Sequence, residues 1–381
     1  GKYYKLKESL SFCIFIQIGM LPLIIYFQYE APAFSFLANV AAVPLATCAF
    51  TLAFLLIFLP YTVFHEAISW MIQGVLWISR QSYGMLTIGH VPFLWVLLFY
   101  FMTGLWIWKK NGQNRHIRIS LAYVIMIILI WIPMARRKSL AFLDVGQGDC
   151  FVADTKSGAI IFDGGSSSED QVGRYRILPY MKYLGYQKIQ IAVISHMDID
   201  HYSGIRELLE MGKIKYLGLP EIPKDETMKK IIGIAKKRGT TIFYLSRGRQ
   251  ITTKDGSLKV LHPQKNSQME KNAASLVMQG KILGYRVLLT GDVEKEGEEE
   301  LLSEELERAD ILKAAHHGSK NSTSNEFLQK VQPKQTVISC GKQNRYGHPH
   351  LETIHRLQTY RTKIYRTDRS GAIIFFKRRD G

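Results

Sequence analysis

The stretch that decides the fold is Ser195-His196-Met197-Asp198-Ile199-Asp200-His201, which follows directly on the apolar run Ile191-Ala192-Val193-Ile194. Four buried-type residues in a row read as a strand covered on both faces. The polar run after it then stands at a strand end, where chain reversals in layered α/β folds collect functional side chains. If the extended conformation continues, His196, Asp198 and Asp200 share one face, and His201 follows at the turn into a helix running to Glu210. Two imidazoles and two carboxylates emerging together suit a divalent metal. A polar loop with incidental histidines would seldom place four donors in six positions.

Outward from this point the same logic recurs. Leu288-Leu289-Thr290-Gly291-Asp292 sets a carboxylate after an apolar strand, and Ala314-Ala315-His316-His317-Gly318-Ser319 sets imidazoles after another. Gly347-His348-Pro349-His350 adds two more in a loop. Singly, each has an ordinary explanation: an Asp in a glycine turn is usually turn chemistry. Strand-like runs at Leu140–Val145, Cys150–Asp154 and Ala159–Phe162 open this region as a meander. Strands then alternate with helix-like segments in each half, which predicts two sheets covered by helices. The sequence carries no evident internal repeat. Cys13 and Cys48 lie in apolar stretches, and Cys150 and Cys340 read as unpaired strand residues, a disulfide between them being the minor alternative.

The chain of 381 residues is divided in charge. It holds 49 Lys and Arg against 32 Asp and Glu, a net +17, yet only eight of those bases and three of those acids precede Ala135. A single soluble domain is excluded. Charge-free windows near Ser9–Phe27, Phe36–Leu59, Val91–Trp108 and Ile119–Pro133 approach the ~20 apolar residues that a helix needs to cross hydrocarbon. The segment Val63–Ser79, with His65, Glu66, Ser69 and Gln73 interspersed, reads as interfacial or as lining a polar cavity. The basic loop Lys109, Lys110, Arg115 and Arg118 favours the cytoplasm, which sends the following domain outside; Arg136, Arg137 and Lys138 weigh against this. Because the chain opens on Gly1 and runs almost at once into an apolar span, more membrane-embedded sequence is expected before it.

The metal-type motifs together resemble the metallo-β-lactamase fold, whose signature is HxHxDH. More narrowly, Leu143-Asp144-Val145-Gly146-Gln147-Gly148-Asp149, Phe162-Asp163-Gly164-Gly165, Thr290-Gly291-Asp292, His316-His317-Gly318-Ser319 and Tyr346-Gly347-His348-Pro349 resemble the ComEC-type competence proteins that internalise DNA. That resemblance implies a multi-span α-helical membrane region over 1–134, incomplete at its amino end, followed over 139–381 by an α/β domain with αββα layering. It also implies a pair of divalent ions held by His196, Asp198, Asp200, His201 and Asp292, with Asp292 bridging. For the remaining histidine His348 is preferred and His317 comes second. Asp200 and His201 are further expected to act in catalysis, Lys313 to contact a scissile phosphate, and Asp144 and Asp163 to orient ligands. Two departures stand out: Asp198 occupies the place of the fold's second histidine, and Asn272-Ala273-Ala274-Ser275 offers none at mid-domain.

The implied function is a channel component for DNA uptake in the cell membrane, with a nuclease domain that degrades the strand not imported. Its partners would be DNA bound without regard to sequence, of which a single strand is imported, together with membrane lipid and other competence-machinery proteins. The basic balance suits a polyanion. The oxygen-rich donor set favours Mn²⁺ over Zn²⁺. The alternatives are a transporter whose domain only binds DNA, favoured by the missing mid-domain histidine, and a membrane-tethered hydrolase of small esters. Gln17, Asn39, His65 and Gln73 argue mildly for a pore, though each could equally bond between helices.

Overall fold

The computed structural model describes residues 2–33, 35–58, 62–80, 84–108, 137–269 and 272–378. The chain divides into two compact units, Gly1–Met134 and Ala135–Gly381.

In the first unit, helix α1 (Lys2–Gln28) leads through β1 (Glu30–Pro32) to α2 (Ser35–Leu55) and α3 (Thr62–Arg80). Strand β2 (Met85–Thr87) and α4 (Phe93–Trp108) follow. β1 and β2 pair antiparallel, Glu30 opposite Thr87. Ile25, Ala31, Val91 and Phe99 form a small core beside this pair, and the Tyr100 hydroxyl donates to the Gly19 carbonyl at 2.8 Å. Large apolar side chains face outward, among them Phe50 at 76% and Trp70 at 72% exposure. Such a surface is costly against water and favourable against lipid. Among the described residues, Ala38–Leu55 is long and apolar enough to cross a membrane, while Ile14–Gln28 and Phe93–Leu105 are shorter apolar helices. The expected span Ile119–Pro133 and the basic loop 109–118 lie outside the described residues. Of the candidate pore residues, Gln17 donates to the Pro32 carbonyl at 2.6 Å and Gln73 to Ser69 Oγ at 3.3 Å.

The second unit is built on two seven-stranded sheets. The first half contributes β3 (Ser139–Phe142), β4 (Phe151–Thr155), β5 (Gly158–Phe162), α5 (Leu178–Tyr183), β6 (Ile189–Val193), α6 (Ile199–Glu210), β7 (Ile214–Pro220), α7 (Glu226–Lys237) and β8 (Thr241–Leu245). The second half contributes β9 (Gln250–Thr253), β10 (Gly256–His262), β11 (Val277–Ile282), β12 (Tyr285–Leu289), α8 (Lys295–Ser303), β13 (Ile311–Lys313) and α9 (Asn325–Val331). It continues with β14 (Gln335–Ile338), α10 (Leu351–Thr359), β15 (Lys363–Arg366), α11 (Thr367–Ser370) and β16 (Ile373–Phe376). The sheet orders are β16-β3-β4-β5-β6-β7-β8 and β15-β14-β13-β12-β11-β10-β9. Both follow one plan. The first four strands of each (β16 to β5, β9 to β12) pair antiparallel, and the steps to the far edge (β5 to β8, β12 to β15) are parallel. A topological repeat is therefore present that the side chains conceal.

Side-chain alternation sets the layers. Leu140, Phe142, Phe151, Phe162 and Val193 of the first sheet meet Leu258, Val260, Met278, Val287 and Leu289 of the second in one core. Their neighbours Ala141, Val152, Ile161 and Ile194 face the other way, onto Ile177, Met181, Ile205, Leu208 and Ile231 of the helical layer. Val277, Leu288, Leu312 and Ile338 do the same against Leu301, Phe327, Leu328 and Leu357. The order is helix, sheet, sheet, helix. Each fully buried Leu, Ile or Phe contributes roughly 1.5–3 kcal/mol. None of these clusters uses a residue of the first unit, so this unit carries its own core.

Two local expectations need correction. α6 starts at Ile199, with Asp198 extended (φ −103°, ψ 148°) at its N-cap. Asp200 and His201 thus sit in a first helical turn, and the strand face imagined for His196, Asp198 and Asp200 does not exist. The acid-rich segment Glu294–Arg308, whose composition reads as one solvated helix, is helical only over Lys295–Ser303. Cys150 and Cys340 are both buried and free.

Candidate metal centre

The C-terminal ends of the parallel strands converge on one place. Asp163 directly follows β5, Ser195 and His196 come just after β6, Gly291 and Asp292 just after β12, and β13 leads from Lys313 into a 3₁₀ turn over Ala315–Gly318. In that turn His316 and His317 are both left-handed (φ 47° and 53°). The β3–β4 loop brings Asp149. Glycines let these backbones touch: a Cβ on Gly165 would lie 2.5 Å from the Asp200 carbonyl carbon and the His201 nitrogen. The Asp149 N–H donates to the Asp200 carbonyl at 3.0 Å, and the Gly164 N–H to that of His201 at 2.8 Å.

Asp149, His201, Asp292 and His317 are all buried and offer donor atoms within 4.8 Å of one another, the one such group among the described residues. His201 Nδ1 lies 3.0 Å from Asp163 Oδ2, and His317 Nδ1 lies 2.9 Å from the Ser339 carbonyl. Both acceptors place the ring proton on Nδ1, which leaves Nε2 with a lone pair. Both Nε2 atoms are buried without a hydrogen-bond partner, and they face Asp292 Oδ2 at 3.1 and 3.3 Å. Orphaned imidazole nitrogens aimed at a carboxylate fit a divalent cation. Asp163 itself is fully buried; its Oδ1 accepts the Ser195 N–H at 2.7 Å.

The same contacts set the charges of the group. Burial pushes His201 and His317 down, but Asp292 with Asp163, and Asp292 with Asp149, raise both well above the ordinary imidazole range. Burial would raise Asp292, yet His201, His317 and Lys313 hold it well below the usual carboxylate range. Burial acts upward on Asp149 as well, and Lys313 with His317 overcomes it, lowering the carboxyl to about 2. Without an ion the two imidazoles are thus held protonated against these carboxylates, and a divalent ion would take the place of their Nε2 protons.

The expected ligands separate in this geometry. His201, Asp292 and His317 lie inside the group, and Asp200 Oδ2 stands 3.4 Å from His317 Nε2. His196 packs behind His201, ring centroids 4.1 Å apart, its own Nε2 unpartnered. Asp198, with a side chain 39% exposed, is 3.6 Å from His196 Nε2. His348 lies outside: it stacks on Tyr346 at 5.7 Å, and its centroid is 6.1 Å from that of His317. Burial, with His317 and His316 beside it, pushes the His348 imidazole down to about 4. The order of preference, His348 before His317, is thus the reverse of the geometric order. Two further expectations are corrected. Asp144 accepts the Gly146 N–H at 3.2 Å, a turn bond inside its own loop; Asp149, five residues on in the same motif, joins the donors instead. Lys313 is buried, its ammonium against Asp149, 3.4 Å from Asp292 Oδ1 and 2.8 Å from the Gly291 carbonyl. With three partners for three N–H groups, it has none left for a phosphate.

The centre opens into a cavity of about 450 Å³ whose lining includes Gln147, Asp198, Asp200, Tyr202, Asn272 and His348. Tyr346 stands at its rim, 43% exposed, with the Arg345 guanidinium 4.9 Å from its ring centroid.

A buried Asp/His donor group at the mouth of a four-layered α/β fold is of a metal-binding type, and the chain belongs to the metallo-beta-lactamase superfamily, whose family model matches residues 143–342. Residues 2–113 match the Competence protein family. This pairing is that of ComEC-type competence proteins. ComE operon protein 3 of Bacillus subtilis (strain 168) is 31% identical over 400 residues, covering 96% of this chain and 51% of that protein. Competence protein ComA of Neisseria gonorrhoeae is 30% identical over 248 residues, 62% of this chain and 32% of that one. Recombination protein 2 of Haemophilus influenzae is 27% identical over 268 residues, 69% of this chain and 32% of that one. The chain thus spans about half the length of the first relative and a third of the other two. Among solved structures, the metallo-beta-lactamase fold protein YhfI from Bacillus subtilis aligns with a TM-score of 0.43 at 13% identity, over 62% of this chain and 99% of that one.

Proposed function

We propose that this chain is part of a membrane channel for DNA uptake in natural transformation, and that its second unit is a metal-dependent nuclease degrading the strand that is not imported. The observation that carries the reading is the buried Asp149–His201–Asp292–His317 group opening into a cavity. The names of the competence and recombination relatives favour DNA as the partner.

A divalent ion supplies Lewis acidity toward phosphoryl oxygens and an activated water. The chain's own residues hold and orient. Asp163 and the Ser339 carbonyl keep the Nδ1 protons in place, so that His201 and His317 present Nε2. Asp200, 3.4 Å from His317 Nε2, is the candidate proton acceptor and lines the cavity. His196 and Asp198 lie at its edge. Tyr346, exposed at the rim with Arg345 and His348 against its ring, would offer a ring face to an unpaired base once the Arg345 guanidinium swings off it, the means by which single strands are held without sequence preference. Carboxylates equal imidazoles in the buried group, and Asp200 tips the count to oxygen, which favours Mn²⁺ over Zn²⁺. The outward apolar surface of the first unit suits a multi-pass position in the cell membrane, with the nuclease on the extracytoplasmic side among other competence proteins.

The test is cleavage of single-stranded DNA by segment 139–381, stripped with chelator and reloaded with Mn²⁺. Cleavage lost on stripping, restored by Mn²⁺, and abolished in folded Asp292→Ala and Asp200→Ala variants is the expected result. DNA binding without cleavage under every metal condition would leave a binding domain in place of a nuclease. Cleavage of small esters alone would leave a tethered hydrolase.

A further inference from the structure

We infer that the centre takes one divalent ion, and that the Lys313 ammonium stands as its second cation. The inference rests on the metal-dependent reading above but not on the identity of the substrate.

Asp292 shows the division most directly. Its Oδ2 faces the two orphaned imidazole nitrogens, His201 Nε2 at 3.1 Å and His317 Nε2 at 3.3 Å. Its Oδ1 faces Lys313 Nζ at 3.4 Å. In a two-ion site a shared carboxylate would bridge ion to ion across about 3.5–4 Å. Here it bridges the imidazole-lined position to an ammonium. Asp149 adds the second carboxylate against the ammonium: its Oδ2 contacts Lys313, while its Oδ1 lies 3.6 Å from His317 Nδ1.

Lys313 is held in place. Its side chain is 5% exposed, and Asp149, Asp292 and the Gly291 carbonyl take its three N–H groups. A buried ammonium persists only where it is paired and hydrogen-bonded, and this one has every partner it needs. Outside this group the remaining donors are spread: His316 Nε2 lies 3.9 Å from Asp292 Oδ2, but its Nδ1 is 2.8 Å from Glu294 Oε1 and the ring is not among the compact four. Asn272–Ser275 supplies no imidazole; Ser275 Oγ instead accepts the Asp292 N–H at 3.3 Å. His196 and Asp198 gather no third donor into a compact group, since Asp149, His201, Asp292 and His317 form the one such set among the described residues.

The experiment is metal analysis of the 381-residue chain in detergent, saturated with Mn²⁺ and freed of excess. Metal content is measured by mass spectrometry, and the spin state by electron paramagnetic resonance. Wild type should carry one Mn²⁺ per chain with an uncoupled six-line signal. Lys313→Ala, which vacates the ammonium's place and frees one oxygen on each of Asp149 and Asp292, should rise to two Mn²⁺ with an exchange-coupled signal. Lys313→Gln, closer in length, provides the same reading if the alanine variant does not fold. Two ions in wild type overturn the inference alone and leave the metal-dependent reading standing. One ion in both the wild type and a folded Lys313 variant also overturns it, because Lys313 then excludes nothing. No bound Mn²⁺ in wild type overturns both. Should neither variant fold, two ions in wild type would still overturn the inference.

Discussion

Replacing Asp163 by Asn removes one charge and almost nothing else. The residue is fully buried at φ 58°, a left-handed conformation that Asn tolerates about as well as Asp, so the backbone is not strained. Its two oxygens serve opposite neighbours: Oδ1 accepts the Ser195 N–H at 2.7 Å, and Oδ2 lies 3.0 Å from His201 Nδ1. An amide can keep only one of these bonds in its present sense. With the amide oxygen on Ser195, the NH₂ donates to His201 Nδ1, forcing the ring proton onto Nε2 and closing the lone pair aimed at the ion. With the amide flipped, His201 keeps its tautomer, but the buried Ser195 N–H loses its acceptor, costing about 1–3 kcal/mol. Groups that orient metal-bound imidazoles typically account for ~10–100-fold in affinity, about 1.4–2.8 kcal/mol. The two routes agree in size. Asp163→Asn should therefore weaken Mn²⁺ binding by roughly 10–100-fold, as calorimetric titration of segment 139–381 will read, with the circular dichroism spectrum unchanged. An affinity within about twofold of wild type in a folded variant would show that Asp163 does not set the His201 tautomer, and the account of the centre would fail at that bond.

Gly165→Ala places a Cβ 2.5 Å from the backbone of Asp200 and His201; the first turn of α6 must move, costing at least ~1–3 kcal/mol. A lowered melting temperature together with weaker Mn²⁺ binding is expected, and unchanged values would refute the close approach. Chelated domain should regain more activity with Mn²⁺ than with Zn²⁺, and Asp198→His should shift that preference toward Zn²⁺; maximal wild-type activity with Zn²⁺ alone contradicts this. Tyr346→Ala should weaken single-stranded DNA binding by about 1–3 kcal/mol while sparing hydrolysis of a small phosphodiester that has no base to stack. Equal losses on both substrates would make Tyr346 a structural residue. A cysteine introduced near Lys320 should be labelled from outside the cell and one near Asn111 should not; the reverse pattern would move the domain to the cytoplasm.

The layering was legible because strand-like runs alternate with helix-like segments in each half, a local pattern; which way each face turns was not, since Leu140, Ala141, Phe142 and Leu143 are all apolar. Strand-end clustering likewise pointed to His201, Asp292 and His317. Asp149 escaped for a physical reason. It lies 52 positions before His201 in the sequence, and only the β3–β4 loop, pressed against α6 through Gly148 and Gly165, brings it in. Asp144 and Asp149 both sit in a glycine-rich loop, and nothing in that loop says which carboxylate turns inward. Lys313 was harder still, because a lysine on a strand ordinarily reaches water, and its three partners come from loops that close separately. The edge strands β9 and β16 gave no sign of their pairing. Ile373–Phe376 returns beside Ser139–Phe142 across most of the domain, and contacts of that range leave no periodicity. The doubled plan of the two sheets was invisible because topology can repeat where side chains do not.

Asp149 and His201 descend from the first sheet's half, Asp292 and His317 from the second's. An ion seated among them is a clasp between two halves of the domain, and its binding energy adds to what holds them together. At a free concentration a hundredfold above its dissociation constant, the ion adds about 2.7 kcal/mol to stability, a sizeable share of the ~5–15 kcal/mol that keeps an ordinary domain folded. A surrounding medium poor in that ion would loosen this domain as well as idle it. Proteases would then remove idle copies first, so that the number of surviving molecules follows the supply of metal.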